Sequence, residues 1–295
     1  MTIIIAGAGI AGLSTAAFCA RAGHRVCVFD KAPAPAPVGS GLIVQPTGQA
    51  VLRALGLIDQ LYARGARLDR LDGRMQGGKR KVLDVRYSAL SSDAHGVAIH
   101  RATLFEMLHD AAEKAGAALH YGHETAAIDH GNSGGRLQFT VDGLSPQADL
   151  IVDALGVRTP LVKRQNCFLD YGALWANAPF PQTLGFAPNI LSQRYRGAGC
   201  SSGVMPIGKM SEDGDALAAF FWTLRADQFE AWRAAPLVAG NLRFWRSGLK
   251  RRRCWRISRR MISLCSRITP ITPLQSQLRG VSFISATRGM RRARN

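Results

Sequence analysis

Acidic residues are missing from the last part of this chain. Residues 231–295 contain none of the 20 Asp and Glu residues but 16 of the 38 Lys and Arg residues. In residues 1–230 the two signs nearly balance. The net charge of +18 is therefore a property of the tail, and the body of the protein gives no electrostatic indication of a nucleic-acid partner.

Long apolar runs and paired cysteines are also lacking. No segment is long and apolar enough to span a bilayer, so we expect no membrane partner. The N-terminus has no basic region of the kind that opens a secretory signal. The cysteines form no Cys-x-x-Cys pair and have no histidine at metal-binding spacing, which predicts buried thiols, no metal site and a cytoplasmic location. They are Cys19, Cys27, Cys167, Cys200, Cys254 and Cys265.

What the chain does have is an apolar run, from residue 1 to 6, that leads directly into Gly7-x-Gly9-x-x-Gly12. In a dinucleotide-binding turn the first glycine allows the tight turn. The second lets the backbone approach a pyrophosphate, and the third lets the helix pack on the strand. The spacing predicts a helix over 10–22 whose first residues, Ile10 and Ala11, offer N–H groups to phosphate.

A second apolar strand, predicted over 25–30, ends in an acid. Asp30 lies 18 residues past Gly12, where a ribose hydroxyl needs an acceptor. The neighbouring Lys31 is a further candidate cofactor contact. The structural alternatives are a plain glycine turn and a solvated strand end. Farther along, the apolar run 149–154 is typical of a parallel strand buried on both faces, and it carries Asp153 with Gly156 just beyond.

Four motifs in this order resemble the FAD-dependent monooxygenases of the aromatic-hydroxylase type, which have the para-hydroxybenzoate hydroxylase fold. They are the glycine motif with Asp30, the segment from Val38 through Gly41 to Ile43, the segment 99–104 around Arg101, and the strand that ends in Asp153-Ala-Leu-Gly156. The resemblance covers roughly residues 1–235. In the fourth motif, Leu155 stands where the family has an aspartate.

The resemblance implies an α/β fold in which a Rossmann-like FAD-binding domain with a parallel sheet is interleaved with a mostly antiparallel substrate domain. Residues 1–65 and 99–160 would form the first domain, and 66–98 and 165–235 the second. It further implies FAD as cofactor, NAD(P)H as reductant, a small aromatic substrate, and hydroxylation by oxygen. Gly41 would run beside the flavin ring, Arg101 would contact the flavin, and Asp153 with Gly156 would serve FAD and the pyridine nucleotide. No catalytic side chain is assigned.

The basic tail departs from the resemblance, because the family's Gly-Asp-x-x-His flavin motif is absent there. Codons for residues 285–294 can be chosen so that the same bases, read one base earlier, encode Gly-Asp-Ala-Trp-His-Ala-Ala-Ser-Pro. Three pairs constrain the shifted frame: Phe244-Trp245 and Cys254-Trp255 each force leucine, and Met261-Ile262 forces aspartate. We therefore interpret residues 240–295 as read out of frame, from a shift near 236–241.

Two alternatives for the tail follow. An out-of-frame segment has no apolar periodicity matched to the body and should be disordered or poorly packed. The chain as written should then hold FAD weakly, aggregate readily and have little or no hydroxylase activity. A selected basic arm would instead make the chain a non-enzymatic dinucleotide-fold protein that binds nucleic acid, with an affinity that falls steeply as salt rises. The missing flavin motif favours the first interpretation.

Overall fold

The computed structural model describes residues 1–35, 39–76, 80–131, 134–141, 143–162, 168–197, 200–234 and 284–287. The chain divides into two compact units. The first comprises residues 1–38, 49–61 and 101–166, and the second comprises residues 39–48, 62–100 and 167–295. Two helices, α2 (Pro46–Ala54) and α3 (Ile58–Arg64), run across the points of division.

The first unit contains a four-stranded parallel sheet. Its strands are β1 (Thr2–Ala6), β2 (Arg25–Asp30), β8 (Ala118–Tyr121) and β11 (Leu150–Asp153), in the order β11-β1-β2-β8. All three pairings are parallel. This confirms the parallel sheet expected from residues 1–6, 25–30 and 149–154, with the glycine motif directly after β1.

Helices and a hairpin cover this sheet. α1 (Ile10–Arg21) connects β1 to β2, and α4 (Arg101–Lys114) packs against α1. The hairpin of β9 (Thr125–Gly131) and β10 (Gly134–Phe139) brings the fully buried Leu137 against Ile4 and Phe29. Small residues on α1, Ala16 and Ala17 among them, are fully buried, since only short side chains let a helix approach a strand or helix this closely.

β11 differs from its sequence-based description. It pairs in parallel with β1 as expected, but it is the outermost strand of the sheet among the described residues. Leu150 is 45% exposed, so the expectation of burial on both faces is wrong for this strand.

The second unit contains two sheets. A three-stranded antiparallel sheet has the order β3-β7-β4, from β3 (Gly41–Val44), β4 (Ala66–Leu68) and β7 (Gly96–His100). A seven-stranded sheet has the order β16-β12-β15-β14-β13-β5-β6 and is antiparallel except for the β13–β5 pair. Its strands are β5 (Arg70–Met75), β6 (Lys81–Arg86), β12 (Phe168–Pro179), β13 (Ile190–Arg196), β14 (Cys200–Gly208), β15 (Leu217–Arg225) and β16 (Ile284–Thr287).

The core of this unit lies between the two sheets. Ala98 of β7 and Met205, Ile207 and Phe221 of the large sheet are almost completely buried in one cluster. A short helix, α5 (Phe229–Ala234), follows the last strand of the body. The architecture confirms the α/β fold class, with a parallel sheet in the first unit and antiparallel or mostly antiparallel sheets in the second. The functional assignment of residues 66–98 and 165–235 stays a prediction.

The tail lies mostly outside the described residues. Of the segment 240–295 the structure describes only β16, which pairs antiparallel with β12 through Ile284, Ser285 and Thr287. At these four residues a strand stands where the sequence led us to expect no packed structure. Among the helices of the described part, none is long and apolar enough to cross a membrane.

Candidate cofactor site

The three glycines of the first motif have different neighbours. Gly7 has a φ of +104°, and a Cβ there would lie 2.6 Å from the carbonyl oxygen of Ala154. A Cβ at Gly12 would collide with the carbonyl oxygen of Gly7. A Cβ at Gly9 would meet nothing within 4 Å. Packing therefore requires glycine at two positions, whereas at Gly9 the missing side chain leaves open space above the turn.

Gly9 stands at the start of α1. Gly9 is the N-cap residue, and no side chain caps the helix there. The first hydrogen bond of the helix runs from the Leu13 N–H to the Gly9 carbonyl at 2.9 Å, so the preceding N–H groups of Ile10 and Ala11 have no partner within the helix. Together with the helix dipole, these N–H groups suit a phosphate.

Asp30 ends β2 and turns both carboxylate oxygens toward the backbone. Its Oδ2 accepts the Ala8 N–H at 2.8 Å, and its Oδ1 accepts the Ala32 N–H at 2.8 Å. A carboxylate has about four lone-pair sites, so each oxygen keeps capacity for a ribose hydroxyl. Asp30 thus fixes the shape of the glycine turn, a task that the sequence pattern did not reveal.

Groups next to Asp30 set the local electrostatics. Tyr121 lies directly opposite Asp30 in the pairing of β2 with β8. Burial raises the pKa of its hydroxyl, and the charges of Asp30 and Glu113 raise that pKa further. Lys31 pairs with Glu124 at 3.4 Å, but their side chains are 69% and 53% exposed, so the pair contributes little to stability.

The end of β11 lies against the glycine turn. The Ala154 N–H donates to the Ala6 carbonyl at 2.8 Å, which continues the parallel pairing by one residue. Asp153 accepts the Leu155 N–H at 3.0 Å and the Thr159 hydroxyl at 2.7 Å. Its carboxylate therefore shapes the turn that begins at Gly156, where φ is +77°. Thr159 is a partner that the sequence analysis missed, because nothing in the spacing marks it.

The remaining candidates lie elsewhere on the chain. Arg101 is the exposed first residue of α4 in the first unit. Gly41 is the first residue of β3 in the second unit. A Cβ at Gly41 would collide with the Ile207 side chain and lie 2.9 Å from the Met205 methyl group. Gly41 therefore has a packing reason to be glycine in addition to any cofactor contact.

One cluster of potential metal ligands lies on α4. His109, Asp110 and Glu113 bring their ligand atoms within 4.8 Å of one another, with His109 Nδ1 3.4 Å from the Glu113 carboxylate. The two acids are largely exposed. Exposed acidic groups of this kind occur without a bound ion, so no metal role is assigned to them.

The structure brings most of the candidate residues to the carboxyl edge of the parallel sheet: Gly7, Gly9, Ile10, Ala11, Gly12, Asp30, Asp153 and Gly156. Lys31 follows Asp30 directly. An open glycine turn, a helix N-terminus and an acid at the end of the next strand define an adenine-dinucleotide-binding unit. The chain belongs to the FAD-binding domain family, whose profile matches residues 1–167.

Curated relatives agree with this family. The 3-amino-4-hydroxybenzoate 2-monooxygenase of Streptomyces cremeus is 29% identical over 223 residues, which is 75% of this chain and 50% of the relative. The 6-hydroxynicotinate 3-monooxygenase of Bordetella bronchiseptica is 30% identical over 162 residues, 54% of this chain and 42% of the relative. A menaquinone reductase of Mycobacterium tuberculosis is 31% identical over 169 residues, 55% of this chain and 39% of the relative. The chain thus spans half or less of each relative's length.

Solved structures show the same fold. A 2-methyl-3-hydroxypyridine-5-carboxylic acid oxygenase matches with a TM-score of 0.72 at 17% identity, over 97% of this chain and 70% of that one. A variant of HpxO from Klebsiella pneumoniae, complexed with FAD, matches with a TM-score of 0.71 at 17% identity, over 97% of this chain and 69% of that one. At such identities the likeness concerns the fold.

Proposed function

We propose that this chain derives from an FAD-dependent monooxygenase that uses NAD(P)H and oxygen to hydroxylate a small aromatic substrate. The observation that carries the proposal is the glycine turn. A Cβ would collide with backbone atoms at Gly7 and Gly12, but at Gly9 it would meet no protein atom within 4 Å. The names of the monooxygenase relatives support the reaction and the substrate class. The menaquinone reductase relative supports a flavin oxidoreductase without hydroxylation as the nearest alternative.

The residues present fit an adenine dinucleotide. In this proposal the Ile10 and Ala11 N–H groups hold the pyrophosphate, Gly9 gives it room, and Asp30 accepts the ribose hydroxyls. Lys31, Gly41, Arg101 and Gly156 are further contacts, whereas Asp153 acts by shaping its turn. When bound, the reduced flavin supplies the oxygen-activating chemistry. The protein's own tasks are to bind, to orient and to exclude water, and no side chain is assigned as a catalytic acid or base.

The second unit is the proposed substrate domain, represented by residues 66–98 and 165–235. Its core contains an aromatic pair, Trp175 and Phe221, with ring centroids 4.7 Å apart.

A cytoplasmic location also belongs to the proposal. Cys19, Cys27 and Cys200 are free thiols, as expected in a reducing compartment.

We also propose that the tail, residues 240–295, is read out of frame. The support comes from β11 and the residues after it, where apolar side chains are exposed: Leu150 by 45%, Val157 by 60% and Val162 by 51%. In-frame residues of the missing flavin motif would supply a strand and a helix at this edge. Without them, apolar surface stays in water beside the glycine turn.

The gene sequence and one restored chain test the proposal together. The bases that encode residues 240–295, read one base earlier, should give an uninterrupted reading frame that encodes a sequence typical of the family. The frame-restored chain should bind FAD, consume NAD(P)H in response to an aromatic substrate, and incorporate oxygen from ¹⁸O₂ into the product. The chain with its present tail should bind FAD weakly and show little hydroxylation. Equal FAD affinity and activity in both chains would contradict the out-of-frame interpretation.

Nucleic-acid binding is the competing outcome, because residues 240–295 hold 15 Lys and Arg residues and no acid. A basic arm that contacts phosphates loses affinity steeply between about 50 and 200 mM salt. Filter binding to duplex DNA distinguishes a basic arm from an out-of-frame segment. It is measured at both salt concentrations for this chain and for a chain that ends at residue 234. Tight, salt-sensitive binding that requires the tail, by a protein without flavin, would favour the arm.

A further inference from the structure

One face of the large sheet in the second unit carries a dense group of charges where β5, β6 and β13 lie side by side. The residues directly opposite each other on β5 and β6 share a sign: Arg70 with Arg86, Asp72 with Asp84, and Arg74 with Lys81. Arg194 of β13 is paired with Arg74 and extends the same face. We call these seven residues the charged face.

The two acids of the charged face are fully engaged. The Asp84 carboxylate lies 2.6 Å from Arg70 Nε and 2.8 Å from Lys81 Nζ. Asp72, whose side chain is only 11% exposed, lies 2.8 Å from Arg74 Nε and 3.3 Å from the Arg70 guanidinium. These contacts offset the repulsion between like charges that face each other across the strands.

The cations of the charged face are not used up in this way. Five Lys and Arg residues against two Asp residues leave an excess of three positive charges. Arg86 reaches Asp84 at 3.4 Å, but its side chain is 58% exposed. Arg194 is exposed and donates to the Gln193 carbonyl at 2.8 Å, and no carboxylate of the described residues forms an ion pair with it. Since each guanidinium has five N–H donors, the charged face keeps donors for further acidic groups.

The opposite face of β6 is apolar and only partly covered. Side chains alternate along a strand, so Val85 lies on the face away from the charges, opposite Leu71. Leu71 packs against the buried core of the second unit, whereas Val85 is 43% exposed. The apolar surface therefore continues past the core to β6.

The backbone of β6 also has an open side, because β6 is the last strand of its sheet among the described residues. The Tyr87 N–H donates to the Asp69 carbonyl at 3.1 Å, in the pair next to Arg70 and Arg86. Hydrogen-bonded and non-hydrogen-bonded pairs alternate in an antiparallel ladder. The backbone N–H and C=O groups of Arg86 and Asp84 therefore point away from β5, where a further strand can pair with them.

Proteins commonly protect such edges with bulges and lysines. The bulge of this hairpin falls between Gly73 and Arg74, at the Lys81 end of β6. Residues 83–86, in contrast, pair in regular register with residues 70–73. The protection thus covers one end of β6 and leaves the end with Val85 and Arg86 regular.

We propose that β6 docks an extended acidic segment of a partner protein, which adds to the large sheet as its next strand. The acidic side chains of that segment lie beside Arg86 and Lys81, and the apolar side chains that alternate with them lie beside Val85. Backbone hydrogen bonds supply affinity, and the alternation supplies selectivity. This proposal is independent of the cofactor site in the first unit.

Three other occupants fit the same edge less well. Residues 231–295 of the chain itself contain no acid, so they have no charge complementary to this face. A second copy that paired antiparallel through β6 would bring its charged face beside the first one, cation next to cation. A nucleic acid would match the charges but would use neither Val85 nor the backbone edge.

Amide hydrogen exchange of the full chain, followed residue by residue by nuclear magnetic resonance, tests the edge. The probe is a peptide in which Glu and Val alternate. Its binding should slow exchange of the Asp84 and Arg86 N–H groups and leave the Val85 N–H, which faces β5, nearly unchanged. The basic tail attracts the peptide as well, but it does not protect these two amides. Unchanged exchange at Asp84 and Arg86 with saturating peptide would overturn the proposal.

Fluorescence anisotropy with the same peptide, labelled, tests the side-chain contacts. Arg86→Glu should raise the Kd about tenfold, equivalent to about 1.4 kcal/mol. Val85→Thr, which keeps the branched shape but adds a hydroxyl, should raise it less. Arg136→Glu is the matched control, because Arg136 is exposed on β10 of the first unit, and it should leave the Kd nearly unchanged. Equal effects of Arg86→Glu and Arg136→Glu would contradict the assignment to β6.

Further probes decide between the occupants without altering the protein, so they hold even where a variant fails to fold. A peptide N-methylated at alternate residues keeps its charges but cannot pair with a strand edge. A peptide with all Glu in one block and all Val in another keeps the composition without the alternation. Both should bind more weakly than the alternating peptide, and equal binding of either would mean that charge alone accounts for the affinity. If duplex DNA binds through Arg86 and the alternating peptide leaves Asp84 and Arg86 unprotected, the charged face serves nucleic acid and the proposal is wrong.

Discussion

The two units assemble their polar groups in different ways. In the first unit the glycine turn and the helix start lie within residues 7–12, and Asp30 ends the very next strand. In the second unit, hydrogen bonds join the side chains of Ser40, Asn177 and His100, which lie far apart in sequence. The first group of polar residues is thus built locally and the second by tertiary pairing.

This difference explains which site the sequence could predict. A local turn has a fixed spacing, because each glycine answers a steric need of its own turn. Ser40, Asn177 and His100 have no characteristic spacing, since they meet through the pairing of β3 with β7 and the packing of the unit. Nothing in the sequence therefore indicates that His100 lies beside Asn177.

The largest effect is expected from Gly12→Ala. Alanine within a helix usually gains about 1 kcal/mol over glycine, but this Cβ would collide with the backbone oxygen of Gly7. Backbone atoms of a tight turn cannot move aside cheaply, so overpacking should dominate, with a net loss of about 2 kcal/mol. Urea unfolding should show it, and ADP affinity should fall as well.

Gly9→Ala is the matched control for that change. Its Cβ would meet no protein atom within 4 Å, and the φ of −80° suits alanine. The free energy of unfolding should change by less than about 1 kcal/mol, while the affinities for ADP and FAD should fall at least about tenfold. If Gly9→Ala binds both ligands normally, the space above the turn is not the phosphate site.

Sequence reasoning also predicted much of the surrounding fold. The parallel sheet and the helix after the glycine turn were confirmed, because their sequence patterns are local properties. The edge position of β11 was not predicted, since an apolar run does not reveal whether a neighbouring strand is present. The packing of Gly41 against Ile207 was hidden for the same reason, because it depends on the contact of β3 with β14.

A smaller effect is expected from Asp30→Asn. The amide keeps one oxygen acceptor but turns an NH₂ group toward either Ala8 or Ala32, whose N–H groups now bond the carboxylate. An unsatisfied donor of this kind should cost about 1–2 kcal/mol in unfolding free energy. ADP affinity should fall too, because one ribose acceptor is lost.

The control for Asp30 lies at the opposite edge of the same parallel sheet, directly before β11. Among the described residues, the Asp149 carboxylate accepts only the Thr2 N–H, at 2.7 Å, so Asp149→Asn can keep that bond through the amide oxygen. We expect nearly unchanged stability and ADP affinity for Asp149→Asn. Equal effects of the two substitutions on ADP binding would show that Asp30 acts through general charge and not through its two backbone contacts.

The smallest effect concerns the second unit and depends on pH. The pKa of Asp69 is lowered by the hydrogen bond from the Asn189 amide first and by Arg67 next. Because the folded pKa lies below the unfolded value of about 3.9, the stabilisation is present above that value and is lost as pH falls through the folded pKa. The unfolding free energies of the parent and Asn189→Ala should therefore differ by a constant amount above about pH 5 and converge below about pH 4. Ser145→Ala, which removes a hydrogen bond between neutral groups, should show no such convergence with the parent. If the plots of unfolding free energy against pH stay parallel for the parent and Asn189→Ala, the hydrogen bond of Asn189 does not depend on the ionised Asp69.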